Sequence, residues 1–251
     1  MNVIRFILLA CGVIFSNTSM ANLCQLPVDI QYILTQQQIQ QEDQGNLVAC
    51  DTMPEQKGVT LLAAVQPLTF DSELEYDFQI IFLAINDQTR KVLWRYQDPT
   101  IYISDAVGLY QIRLDTAPYR LNAKLRAVGL RISYQNASRV SPYYQTTLNL
   151  YDFGQKRKQL DQLVVMKDSG EWDMNCYGEW YKQTSSIQVL KKQHNGFADL
   201  QVKTNMKHQS SQETFDHCTT QNGKQWQESF VLKFDGKQYQ IPEKYRQDYQ
   251  Y

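Results

Sequence analysis

From Gly58 onward, apolar side chains tend to return at every second position, and they are rich in β-branched and aromatic types. A period of two suits an extended strand that buries one face, and it does not suit a helix. In Asp71-Ser72-Glu73-Leu74-Glu75-Tyr76-Asp77-Phe78 every odd position is a carboxylate, while Leu74, Tyr76 and Phe78 form an apolar face. The run continues as Ile80-Ile81-Phe82-Leu83-Ala84-Ile85, meets Asn86-Asp87 and resumes as Lys91-Val92-Leu93-Trp94-Arg95-Tyr96. Two apolar runs around a short polar break predict a hairpin. Leu148 to Tyr151, broken at Asp152-Phe153-Gly154 and followed by Leu160 to Met166, predicts a second. Phe230 to Phe234, turning at Asp235-Gly236 into Gln238-Tyr239-Gln240-Ile241, predicts a third, with an Asp-Gly pair suited to a tight turn.

Between Tyr119 and Tyr134 the alternation changes phase. Leu121, Ala123, Leu125 and Ala127 are apolar at odd positions, whereas Leu130, Ile132 and Tyr134 are apolar at even ones. A one-residue slip turns a strand inside out, so a β-bulge or a turn is expected at Val128-Gly129. Ahead of the strands, Ile30, Ile33 and Leu34 have helical spacing behind Asp29 as a cap, within a glutamine-rich surface stretch. Glycine and proline are scattered, which argues for one domain over residues 22–251, and the best place for a break is near Glu171-Trp172.

The chain begins with Arg5 and then the apolar run Phe6 to Phe15, too short for the roughly 20 residues that a bilayer demands. Ser19 and Ala21 provide small residues for signal-peptide cleavage before Asn22, so residues 1–21 read as an export signal. A rival reading takes Leu8-Leu9-Ala10-Cys11 as a lipobox and Cys11 as a lipid anchor. Cleavage after Ala21 leaves Cys24, Cys50, Cys176 and Cys218, an even number in an oxidising compartment. Four cysteines allow three pairings, and proximity in sequence favours Cys24 with Cys50 and Cys176 with Cys218. The expected location is the periplasm, with no membrane span after cleavage.

The formal net charge of −1 supplies no field for nucleic acid, and no nucleic-acid partner is expected. The three histidines, His194, His208 and His217, are scattered. A metal site using His217, Cys176 and Cys218 competes with the disulfide reading, which the compartment favours. We find no nucleophile elbow, phosphate loop, dinucleotide fingerprint or zinc-protease helix, so no cofactor, metal or catalytic residue is expected. Glu171 and Asp173, flanking Trp172, are the nearest approach to an acid/base pair, and they underlie an alternative reading as a hydrolase with scattered carboxylates. The ladder Asp71, Glu73, Glu75 and Asp77 could hold a hard cation or a basic partner, but a solvated face paired with Arg120, Lys124 and Arg126 explains it as well. The 16 tyrosines include Tyr143, Tyr144, Tyr177, Tyr181, Tyr239, Tyr245, Tyr249 and Tyr251, which suit either recognition surfaces or ordinary strands.

Two segments carry a resemblance. Gly196-Phe197-Ala198-Asp199-Leu200-Gln201-Val202 is similar to a strand of integrin-like β-propeller repeats, and Phe234-Asp235-Gly236-Lys237-Gln238-Tyr239 to their closing hairpin. Exported proteobacterial proteins with this look include periplasmic lysozyme inhibitors, which insert a loop into the enzyme's cleft. The resemblance covers about a quarter of the chain and lacks the aspartate-rich calcium loops of true blades. It implies that Asp168-Ser169-Gly170-Glu171 is a partner-binding loop. The expectation is therefore a mostly β protein of antiparallel hairpins, in a propeller-like or sandwich arrangement, with a short N-terminal helix. It would act by binding a periplasmic or envelope component rather than by catalysis, with inhibition of a wall-degrading enzyme as one alternative.

Overall fold

Strands dominate the chain because its apolar residues alternate, and the antiparallel ladders, apart from that of β3 with β5, join neighbours in sequence. The computed structural model describes residues 23–40, 47–68, 76–214 and 217–247. The leader, Cys11 and the ladder residues Asp71, Glu73 and Glu75 lie outside them. A first sheet holds β1 (Val48–Thr52), β2 (Val59–Pro67), β3 (Tyr76–Asn86) and β4 (Val92–Gln97) in that order, with β5 (Tyr102–Ser104) also on β3. A second sheet runs in sequence order through β6 (Gly108–Arg120), β7 (Arg126–Gln135), β8 (Tyr143–Asp152), β9 (Arg157–Trp172), β10 (Gly178–His194), β11 (Phe197–Thr214) and β12 (His217–Leu232). All the pairings are antiparallel.

The two sheets share a core, as in a sandwich. Leu61, Phe78 and Phe82 of the first sheet belong to the same buried cluster as Ile112, Leu130 and Ile132 of the second. The far face of the first sheet is also apolar, which is why Ile80 to Ile85 reads as a continuous run rather than an alternation. A helix, α1 (Pro27–Gln36), covers that face with Ile33 and Leu34 against Leu62, Ile81 and Leu83. Burying Leu23, Ile33, Leu34 and Ile39 there contributes roughly 1.5–3 kcal/mol each before chain entropy is counted. The disulfide Cys24–Cys50 ties the segment ahead of α1 to β1, and Cys176–Cys218 joins the β9–β10 turn to the start of β12. Both are the pairings that proximity favours.

Several local expectations change. The helix starts at Pro27, whose missing N–H is harmless at that position, with Leu26 at the cap and Asp29 in the first turn. There Asp29 pairs with Arg90 at 3.1 Å. The phase change between Tyr119 and Tyr134 comes from a turn over residues 121–125 between β6 and β7. The associated bulge lies on β6, where the ladder jumps from Asp115↔Gly129 to Tyr119↔Ala127. Gly129 itself is closely packed, since a Cβ there would sit 2.9 Å from Asp115 Cβ.

The first two hairpins form as expected, as β3–β4 and β8–β9. The third turns at Asp235-Gly236, with Gly236 at φ +105°, yet its second arm makes only the bridge Phe234↔Tyr239. Its tyrosine has another use. β9 and β10 pair only from Met166 to Trp172 and from Gly178 to Thr184, and below that β10 leaves β9. The C-terminal segment takes the vacated edge, with Tyr239 N–H donating to Gln159 O (2.8 Å) and Arg246 bridging Leu163. Tyr239 and Tyr245 then fill a second core with Leu150, Leu163 and Leu200. Ala198 N–H donates to Leu121 O (2.6 Å), so the sheet curls around this core.

Candidate functional site

Beyond the first sheet, the continuing face of β8, β9 and β10 forms the floor of an open groove of about 1430 Å³. Register explains its composition. Tyr143, Ser169, Tyr181 and His208 are successive partners across four strands, and Gln145, Lys167, Gln183 and Met206 form the next row. A third row brings Glu171 opposite Glu179 and Ser210. The β7–β8 turn, with Val140 and Pro142, forms one wall, and Lys244, Arg246 and Gln247 of the C-terminal segment form another.

Asp168-Ser169-Gly170-Glu171 is therefore not a loop. These residues lie inside β9, paired with β8 through Asp168 and Ser169 and with β10 through all four. Small and charged residues suggested a turn, but the long ladder on both sides holds them extended. Ser169 and Glu171 line the groove, while Asp168 Oδ2 lies 3.6 Å from Lys182 Nζ. Gly170 leaves room for an indole, since a Cβ there would meet Trp180 Cδ1 at 2.5 Å. Gly178 does the same, at 2.6 Å from Trp180 Cη2.

The suggested acid/base partners are separated by their tasks. Asp173 Oδ1 accepts the N–H groups of Asn175 (2.8 Å) and Tyr177 (3.0 Å), which makes it the cap of the β9–β10 turn. Glu171 instead faces Glu179, a pair that sequence reading missed because 7 further residues and a turn separate them. Two carboxylates directly opposite repel. Tyr181 OH donates to Glu179 Oε2 (3.0 Å), and this bond, with desolvation and the Glu179 charge, holds the phenol above its ordinary value. His208 Nε2 lies 3.7 Å from Glu179 Oε2, and its ring stacks on Tyr181 with centroids 4.7 Å apart.

The tyrosines now sort by position. Tyr177 and Tyr181 are 56 % and 48 % exposed at the groove, Tyr239 and Tyr245 are core, and Tyr249 and Tyr251 lie outside the described residues. Lys167 Nζ stands 5.2 Å over the Tyr143 ring. Lys244 is held by Glu228, which also accepts from Tyr245 OH (2.5 Å). These donors, Lys244 first, depress the Glu228 carboxyl to about 2. Among the described residues, Gln183 Nε2 and Gln247 Oε1 are buried atoms with no hydrogen-bond partner, and both side chains belong to groove-lining residues. Leaving such an amide atom unmatched costs about 1–3 kcal/mol.

Other clusters have structural tasks. His194 Nδ1 contacts the buried Asp199 at 2.5 Å behind the Asn195-Gly196 turn. Phe197 stacks on Phe234 at 4.1 Å, so the two segments that resemble propeller repeats pack together. Arg120 pairs with Glu55, and Arg126 lies 3.9 Å from the same carboxylate. Between the sheets, the fully buried Asp98 accepts from Tyr102 (2.9 Å) and Tyr151 (2.5 Å), with Lys158 Nζ at 3.2 Å. Burial, more than the neighbouring charges, pushes both phenols well above their ordinary range, so they remain donors. No three His, Cys, Asp or Glu side chains among the described residues converge as a metal-ion set.

Comparison of the chain with protein-family models, with curated proteins and with solved structures finds no significant match.

Proposed function

We propose that this is an exported binding protein whose working surface is the groove on β8, β9 and β10. The observation that carries the reading is the row Tyr143, Ser169 and Tyr181, flanked by amides and by the exposed Tyr177, on a floor of paired strands. A rigid sheet holds its side chains in fixed relative positions, as recognition requires. Large concave surfaces with convergent polar groups are where ligands bind. The two disulfides support an oxidising compartment, and no described helix is long and apolar enough to cross a membrane. The periplasm fits both facts, and an envelope component is the partner we propose.

The test is site-specific photocrosslinking in the native envelope, with the photoreactive residue at Tyr177 in the groove or, as the comparison, at Arg113 in the shallow hollow on the opposite face. We expect a defined adduct from Tyr177 that excess unlabelled protein competes away, and none from Arg113. Equal labelling at both positions would remove the groove from its role. Export is checked separately by mass spectrometry of the mature N-terminus, with Asn22 expected as the first residue.

A further inference from the structure

We infer that the groove takes an uncharged oligosaccharide, a chain of several pyranose units bound through its hydroxyls and ring faces. The inference rests on the groove being the binding surface, and it goes further by naming the ligand's chemistry.

Size sets the first limit. At about 1430 Å³ the groove exceeds the roughly 300–1,000 Å³ of ordinary small-molecule pockets, so it suits a chain of linked units rather than one compact metabolite. Charge sets the second. Lys167, Lys244 and Arg246 are matched in number by Glu171, Asp173 and Glu179. Several of these are already occupied, Lys244 by Glu228, Glu179 by Tyr181 and Asp173 by its turn. A groove without net charge gathers neither a polyanion nor a strongly basic peptide.

Backbone geometry sets the third limit. β8, β9 and β10 lie in the interior of the sheet order, and at the groove β9 is paired on both sides. An extended peptide adds to a sheet through an open edge, and this floor has no such edge to offer. Recognition must come from side chains, and the side chains present suit hydroxyls. Gln145, Gln183, Gln212 and Gln247 each carry a donor and an acceptor on one amide, and a sugar hydroxyl likewise does both.

Two of those amides give independent support. Gln183 Nε2 lacks an acceptor and Gln247 Oε1 lacks a donor among the described residues, and Gln247 is only 9 % exposed. Both atoms are closed off from solvent, so a ligand hydroxyl pairs with them once the amide turns toward the groove. Tyr177 and Tyr181 are exposed residues at the same groove, with His208 stacked on one face of the Tyr181 ring. A pyranose presents a flat array of C–H groups to such a ring while its hydroxyls stay polar at the edges.

The experiment titrates the full oxidised protein with cellotetraose, chitotetraose and maltotetraose at up to millimolar concentration, followed by tryptophan fluorescence and calorimetry. We expect saturable binding of at least one. Tyr181→Ala and Gln183→Ala should each weaken it about tenfold, the upper range for one lost hydrogen bond or ring contact. Arg113→Ala, on the opposite face, should leave it unchanged, and Gln183→Glu tests the amide with minimal change of shape. Circular dichroism and urea midpoints establish that each variant is folded. Saturation by none of the three sugars, or equal affinity in the folded Tyr181→Ala variant, overturns the inference. The Tyr177 crosslink distinguishes the two levels. A specific adduct with a protein and no sugar binding retains the binding reading and ends the saccharide one, whereas no adduct and no sugar binding ends both.

Discussion

Replacing Lys158 with methionine removes the cation that lies 3.2 Å from Asp98 and leaves a fully buried carboxylate between the sheets. The methionine keeps most of the stem's apolar contacts, so the change isolates the charge. Lys158 is itself only 10 % exposed, and its Nζ also pairs with the more exposed Asp161 (2.6 Å) and donates to Thr100 (2.6 Å) and Tyr102 (3.1 Å). Breaking a buried pair from one side costs about 3–5 kcal/mol, because the remaining charge is desolvated without compensation. With a urea m-value near the upper end of ~1–3 kcal/mol/M, the midpoint should fall by about 1–2 M. The assay is equilibrium urea unfolding at neutral pH with the disulfides intact. The double variant Asp98→Asn/Lys158→Met should recover part of the loss, since it removes the stranded charge. Tyr151→Phe, which deletes one hydrogen bond to a charged group, should cost about 1.5–3 kcal/mol. A Lys158→Met variant within 1 kcal/mol of the parent, or a double variant no more stable than that single one, would refute the argument that Lys158 compensates the buried Asp98 charge.

Gly170→Val should destabilise by about 1–3 kcal/mol through overpacking, because a Cβ meets both the Trp180 ring and the Glu179 carbonyl O (2.9 Å); an unchanged urea midpoint would count against the flat packing of the indole. Glu228 is depressed in the folded protein, so its contribution is fully present above the ordinary value of 4.5 and is lost as pH falls toward about 2. Acid unfolding of Glu228→Gln should therefore lack that part of the wild-type pH dependence, and an identical acid profile would contradict the clamp on Lys244. Loops closed over separations of 26 and 42 residues correspond to about 3.5 and 4 kcal/mol in the chain-entropy model. Replacing Cys24 and Cys50 with serine should lower the urea midpoint and raise amide exchange in α1 before it does so in the second sheet, and uniform exchange would argue against local tethering.

The period of two was enough to make this a β protein, because a strand's facing depends only on parity. The Asn86-Asp87 and Asp152-Phe153-Gly154 breaks located two hairpins, and proximity selected the disulfide partners, since short loops and adjacent elements coincide in an antiparallel meander. The groove was not legible in the same way. Glu171 and Glu179 become neighbours only through the β9–β10 register, and Tyr143 joins Tyr181 only because Ser169 lies between them on β9. Asp168 to Glu171 has the composition of a turn, yet ladders on both sides outweigh local preference. The departure of β10 from β9, and the C-terminal segment that fills the edge, left no periodic trace, because one bridge, isolated backbone hydrogen bonds and a few inward tyrosines make that contact. Local pattern determines which way a side chain faces, but the partner across the sheet is a matter of long-range register, and that is where the shape of the site was decided.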